Sequence, residues 1–293
     1  MTGEQHVMSC ASPAAMLELA EEALIASRCE GELSLGILRR LIEDPAIYGN
    51  ELILLAAMQG NRPVALVTMT GRHPALIVGF VEPAVVDFDQ LVHAILEQPH
   101  AVADINGAAR WSEPFAAAWE RTGVARTRQV RHLRFFELRS VVEPIGLREG
   151  VLREPRPSEG DLLRTWAVAF SAEALDETSD EDRDAAHRLV DRLMQSGDIF
   201  VWEVGGEPVS MAAINRRTDQ SANVSLVYTP KEHRRCGFAS AIVAALSQRE
   251  LDAGIEWCSL FTDVENPTSN HIYQEVGYEP QCDFLHYSLH AER

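Results

Sequence analysis

Chemistry concentrates between residues 224 and 240. Val224-Ser225-Leu226-Val227-Tyr228-Thr229 reads as a strand and Pro230-Lys231-Glu232-His233 as a turn. Arg234-Arg235-Cys236-Gly237-Phe238-Ala239-Ser240 then leads into an apolar helix over 238–253 that stops at Gly254. A strand feeding a basic, glycine-containing turn that opens a helix has the physics of an anion site. The first N–H groups of a helix lack intrahelical acceptors, and the helix dipole favours negative charge there. Gly237 and Ala239 leave the backbone open to close approach. An ordinary strand-to-helix turn with solvated arginines is the alternative reading of the same residues. Neither GxxxxGK[ST] nor GxGxxG occurs at this turn, which excludes the P-loop and the dinucleotide fingerprint there.

A second segment follows in the order the first requires. Asn266-Pro267-Thr268-Ser269-Asn270-His271-Ile272-Tyr273 precedes Gly277-Tyr278, with a strand over 256–263 before it. Arg234-x-x-Gly237-x-Ala239 resembles the [QR]-x-x-G-x-[GA] signature of the GNAT superfamily of N-acetyltransferases. The later Asn and Tyr resemble that family's second motif. The resemblance is close over 150–290 and rests on element order alone over 1–140. It implies a mixed, mostly antiparallel sheet flanked by helices, in which two neighbouring parallel strands, here 222–229 and 256–263, splay apart.

The resemblance also implies acetyl-CoA as co-substrate, no metal, and a primary amine of a small molecule as acceptor. Carried over by position, Val227, Tyr228 and Thr229 hold the pantetheine arm. Arg234 and the N–H groups of Arg235, Cys236, Gly237, Phe238, Ala239 and Ser240 hold the pyrophosphate. Asn266 binds the cofactor's amide region, and Tyr273 is the general acid for the departing thiolate. A thiol has a pKa of about 8.5, so such a donor is useful at the leaving sulfur. The family's carboxylate bases have no counterpart: Asn223, Ser225 and Phe261 stand at the matching positions. Asp263 and Glu265 read as solvated strand-end acids. A non-catalytic acyl-CoA sensor and a protein or peptide N-acetyltransferase are therefore the competing readings.

The elements that must position these residues occur twice. In the second half, helices are expected over 161–175 and 180–195, with Ser179 as the cap of the latter. A hairpin over 199–204 and 209–214 turns on Gly205-Gly206. In the first half, an apolar-periodic stretch over 16–24 follows a Ser12 cap, and a second helix spans 33–42. Strands are expected over 51–58, 63–70 and 76–81. Then come a helix over 87–98, a strand over 101–105, a helix over 112–122 capped by Ser112, and a strand over 130–138. Pro144, Gly146, Gly150, Pro155, Pro157 and Gly160 mark a linker. The division expected is a degenerate GNAT-like domain over 1–140 and an acetyltransferase domain over 148–293. The first half lacks the basic turn: acidic Val81-Glu82-Pro83-Ala84 stands in its place, and Trp119 where the Tyr would be.

Composition narrows the partners. Asp plus Glu number 44 against 26 for Lys plus Arg, a net charge of -18, which argues against a protein that grips nucleic acid through its phosphates. An acidic surface suits a cationic small substrate. No apolar run is long enough to cross a membrane, and the start has no signal-peptide pattern. The five cysteines are scattered with no CxxC pair, so neither a disulfide framework nor a zinc site is expected. A reducing, cytoplasmic setting follows, with a homodimer as one option for assembly. The acidic run Glu173, Asp176, Glu177, Asp180, Glu181, Asp182 reads as a solvated face.

Overall fold

The computed structural model describes residues 4–71, 73–143, 149–175 and 177–291. Pro144 and Gly146 of the expected linker, and Asp176, lie outside the described residues. The first half runs β1 (Gln5–Ser9), α1 (Pro13–Ala26), α2 (Cys29–Glu43), β2 (Leu52–Gln59), β3 (Arg62–Thr70), β4 (Ala75–Gly79), α3 (Phe88–Leu96), β5 (Asp104–Ala108), α4 (Ala109–Arg121) and β6 (Ala125–Leu138). The second runs β7 (Val151–Arg153), α5 (Gly160–Ala174), α6 (Asp180–Ser196), β8 (Ile199–Val204), β9 (Glu207–Arg217), β10 (Ser221–Tyr228), α7 (Phe238–Asp252), β11 (Trp257–Asp263), α8 (Pro267–Val276) and β12 (Glu279–Ala291).

Two compact units form, and chain order alone does not divide them. One takes residues 1–135, 263–265 and 281–293, the other 136–262 and 266–280. In the first unit β1, β2, β3 and β4 pair antiparallel in that order, and β4 pairs parallel with β5. β12, from the far end of the chain, then pairs antiparallel with β5, from Phe284 on Ala108 to Ser288 on Asp104. In the second unit β7, β8, β9 and β10 pair antiparallel, and β10 pairs parallel with β11. Phe136 and Leu138, at the end of β6, are buried in this second core. Each unit thus repeats one order: strand, two helices, hairpin, third strand, helix, parallel strand, helix.

The caps that were legible in the sequence form. Ser12 Oγ accepts from the Ala15 N–H at 3.1 Å. Ser179 and Asp182 make a reciprocal capping box, the arrangement that satisfies two orphan donors at once. Ser112 does not cap α4: the helix begins three residues earlier, at Ala109, and the buried Ser112 hydroxyl donates back to the Ala108 carbonyl at 3.3 Å. Mid-helix serine commonly bonds to the preceding turn in this way. β1 has no sequence signature, because none of its residues is fully buried and its apolar residues, Val7 and Met8, are adjacent rather than alternating.

The parallel pair of the first unit is closed. A Cβ on Gly107 of β5 would lie 2.6 Å from the Ile77 carbonyl oxygen of β4. One on Gly79 would lie 2.4 Å from the indole of Trp111, which is itself fully buried. Glycine at these two sites is what lets the strands and the indole meet. Gly107→Ala therefore should destabilise the first unit by about 1–3 kcal/mol, read as a lower thermal midpoint. An unchanged midpoint would show that the β4–β5 contact is looser than described.

Candidate active site

Each unit's parallel pair shares three register positions, and in the second unit the two strands run on well past them. β10 and β11 pair at Ser221–Trp257, Ala222–Cys258 and Asn223–Ser259. β10 then continues to Tyr228 and β11 to Asp263 without further pairing to each other. The cause lies in β10. Its register on β9 shifts between Asn223 and Val224 and again between Ser225 and Tyr228. Leu226 has a φ of 53°, an uncommon conformation for a residue with a bulky side chain.

The irregularity turns the strand over. Before it, Ala222 and Val224 face the core shared with α7 and α8. After it, Leu226 and Tyr228 face the opposite core, shared with α5 and α6, while Val227 packs on the α7 side. A one-residue slip in a period-two element has this effect. The two faces of the strand's end are therefore filled by side chains, and its inner edge, no longer paired with β11, is free to bond an extended ligand.

The basic turn follows at once. Residues 231–233 make a 3₁₀ turn, Arg235 has a φ of 62°, and Gly237 has a φ of 78°. Two of the three non-glycine residues with positive φ among the described residues thus lie in this one segment. Such strain clusters at functional sites. α7 starts at Phe238 with Gly237 before it and no side-chain cap, so the N–H groups of Phe238, Ala239 and Ser240 have no intrahelical acceptor. A Cβ built on Gly237 meets nothing within 4 Å, so the space beside Gly237 at the helix start is open. The His233 and Phe238 rings meet edge to face at 6.4 Å and brace the turn.

Each expected residue can now be placed. Arg235 is exposed beside the turn. Arg234 points elsewhere: its Nε donates to the Thr229 carbonyl at 2.8 Å and its Nη2 to Glu173 at 2.7 Å, with its guanidinium 5.6 Å from the Tyr228 ring. It ties the turn to the end of β10. Cys236 is half-buried, its Sγ 3.6 Å from the Arg234 carbonyl. Ser210 completes the tie, donating to the Tyr228 carbonyl at 3.0 Å and meeting the Thr229 hydroxyl at 2.9 Å. Asn266 caps α8, its Oδ1 accepting from the Ser269 N–H at 3.1 Å.

Tyr273 sits on α8 in the α7-side core, 8 % exposed. Its ring meets Tyr278 edge to face at 6.1 Å, and the Tyr278 hydroxyl pairs with Ser247 Oγ of α7 at 2.8 Å. Burial pushes the Tyr273 phenol up to about 12, so it is protonated throughout the physiological range. Asn223 is buried and fully engaged, donating to Ser259 Oγ and accepting from Arg216, both at 2.9 Å. Asp263 accepts from the Glu265 N–H at 2.8 Å within the residues that belong to the first unit.

Glu173 is the residue that sequence reasoning assigned to a solvated acidic face. It accepts from Arg234, lies 3.9 Å from Lys231 Nζ, and takes a 3.4 Å bond from the Tyr228 hydroxyl. Burial and the Glu173 carboxylate raise the Tyr228 phenol above its ordinary value. The sequence signal was faint: an acid at the end of a helix, far along the chain from the arginine that it pairs.

Comparisons place this arrangement. A mixed α/β fold is shared, over nearly the whole chain, by solved acetyltransferases. One is a GNAT-family acetyltransferase from Colwellia psychrerythraea, 10% identical with a TM-score of 0.60, covering 98% of this chain and 99% of that one. A GCN5-related N-acetyltransferase from Sphaerobacter thermophilus is 15% identical with a TM-score of 0.62, covering 98% and 96%. A tandem GNAT protein from the clavulanic acid biosynthesis pathway is 13% identical with a TM-score of 0.57, covering 98% of each. Residues 161–278 match the acetyltransferase (GNAT) family. No curated relative matches the sequence. Residues 161–278 therefore match a GNAT acetyltransferase domain, and the chemistry general to that family is acetyl transfer from acetyl-CoA.

Glu173→Gln should leave the fold intact and loosen the turn, since it weakens an ion pair that is more than a third exposed on both sides and so worth about 0.2–1 kcal/mol. Coenzyme A affinity measured by calorimetry is expected to fall about two- to fivefold, with thermal stability little changed. Wild-type affinity would mean that the Arg234 tie does not shape the turn.

Proposed function

We propose that this protein is a cytoplasmic, acetyl-CoA-dependent N-acetyltransferase acting on the primary amine of a small molecule. Its catalytic part lies in 148–293, of which 281–293 complete the first unit's sheet, and 1–140 is a degenerate copy with no cofactor site. The observation that carries this reading is the parted strand pair leading into a helix with no side-chain cap and open space beside Gly237 at its start. The residues present fit acetyl-CoA: β10 offers an unpaired edge for an extended amide chain, and residues 235–240 offer backbone donors beside an exposed arginine for a pyrophosphate. In the first unit the same places are closed by Gly79, Gly107 and Trp111, and the start of α3 is capped by Asp87, which accepts from Gln90 at 3.0 Å.

Acetyl-CoA supplies an acetyl group activated as a thioester. The acceptor nitrogen attacks the acetyl carbon, a C–N bond forms, the C–S bond breaks, and sulfur leaves with the electron pair. A backbone N–H of β10 beyond Asn223 faces the oxyanion of the tetrahedral state, where a preorganised donor is most effective. Tyr273 donates a hydrogen bond to the leaving sulfur. A phenol near 12 gives its proton outright to a thiolate of pKa about 8.5 only at a cost of roughly 5 kcal/mol. The role is therefore stabilisation by a hydrogen bond, and the thiolate takes its proton from the solvent. The amine arrives neutral or loses its proton to water, since Asn223, Ser225 and Phe261 offer no carboxylate. That absence also favours the second reading, an acyl-CoA-binding sensor. Coenzyme A release with a panel of small amines separates the two, because a sensor binds the cofactor and releases none.

Tyr273→Phe should lower kcat about 10–100-fold with coenzyme A affinity unchanged, the worth of one hydrogen bond to a charged atom. A phenol held at about 12 stays a donor below that pH and is lost only above it. The wild-type pH profile is thus expected to rise with the acceptor amine's own ionisation and to show no alkaline fall below about pH 11. An acidic limb near pH 6 that is the same for every amine would reveal a protein base and overturn this account.

A further inference from the structure

Cys29 is the first residue of α2, and Cys282 lies on β12, 253 positions further along the chain. Both belong to the first unit, and both are half-buried thiols outside any disulfide. Their sulfurs stand 2.7 Å apart, with Cys282 donating to Cys29. A disulfide bond measures about 2.05 Å, so bonding requires an approach of well under an ångström.

The backbone on each side is anchored. Next to Cys29, Glu30 accepts from the buried Trp111 indole at 2.8 Å and pairs with Arg110 at 3.2 Å. The α1–α2 turn is tight: Arg28 has a φ of 46°, and a Cβ on Gly31 would lie 2.2 Å from the Leu24 carbonyl. Next to Cys282, Asp283 accepts two bonds from Arg134, at 2.7 and 3.0 Å, and one from His132 at 2.9 Å. The ladder of β12 on β5 begins one residue later, at Phe284. The thiols are thus brought together by two fixed segments. The other cysteines lie differently: Cys236 and Cys258 donate to backbone carbonyls.

We infer that Cys29 and Cys282 form a reversible disulfide by exchange with a low-molecular-weight disulfide of the glutathione class. The Cys29 thiolate attacks one sulfur of the oxidised reagent, a mixed disulfide forms, and one reagent thiolate leaves. The Cys282 thiolate then attacks the Cys29 sulfur and displaces the second. Two protein thiols and one small disulfide become one protein disulfide and two small thiols. Cys29 is the first nucleophile because the hydrogen bond to Cys29, burial and the Glu30 and Asp283 carboxylates hold the Cys282 thiol protonated. The bond fastens a helix of the near half to the strand supplied by the far half.

The test uses the full chain incubated with oxidised glutathione, then alkylated after unfolding in denaturant and read by intact mass and peptide mapping. Expected is a loss of about 2 Da before alkylation, three of the five cysteines open to alkylation, and one linked peptide joining Cys29 to Cys282. The oxidised chain should melt several degrees higher, as a crosslink closing a long loop restricts the unfolded state. Cys282→Ser should stop at the mixed disulfide, with glutathione retained on Cys29. Alkylation of both Cys29 and Cys282 in the treated wild type, or linkage of a different pair, would overturn the inference.

Discussion

The site depends on one break in a hydrogen-bonded ladder. β10 and β11 are ordinary parallel neighbours up to Asn223 and Ser259, and Asn223 marks the end of pairing with a buried side-chain bond to that same serine. Past this rivet the two strands continue without each other. An unpaired buried edge costs free energy comparable to its lost hydrogen bonds, so a protein keeps one open only where something else bonds to it. The shift at Leu226 gives the same strand two inside faces in succession, one before and one after the slip. Both cores stay filled while the ladder opens.

Charge follows from this geometry. The molecule is acidic overall, and its basic turn is trimmed further, because Glu173 takes up Arg234 and approaches Lys231. What remains in front of the helix start is mainly backbone: N–H donors and an open approach at Gly237. Binding through fixed amides is less sensitive to salt than binding through free side-chain charge, and it favours an anion of matching shape over anionic charge in general.

The sequence made some levels of this structure legible and hid others. Turn glycines, serine caps and apolar periodicity announced the second unit's helices and hairpin, because those signals act within a few residues. The parted strands came from the resemblance, since no local pattern in Val224-Ser225-Leu226-Val227 declares a bulge. The partner of Arg234 was hidden because it lies 61 residues away in a run whose charge alone suggested solvent. Arg234 itself shows the limit of carrying a motif by position: the residue is present, and its side chain ties the turn to β10. The thiol pair was equally hidden, as contact across 253 positions leaves no trace in spacing.

The route of β12 has a consequence for synthesis. The first unit's helices and hairpin are made early, yet β5 gains its second neighbour only when residues 284–288 have been translated. Until then a growing chain carries an open sheet edge, the kind of surface that recruits stray strands. The acidic character of the chain keeps such intermediates apart while the ribosome works through the second unit. The half that is translated first is thus the half that is completed last, and a ribosome that stalls within the second unit leaves both halves unfinished.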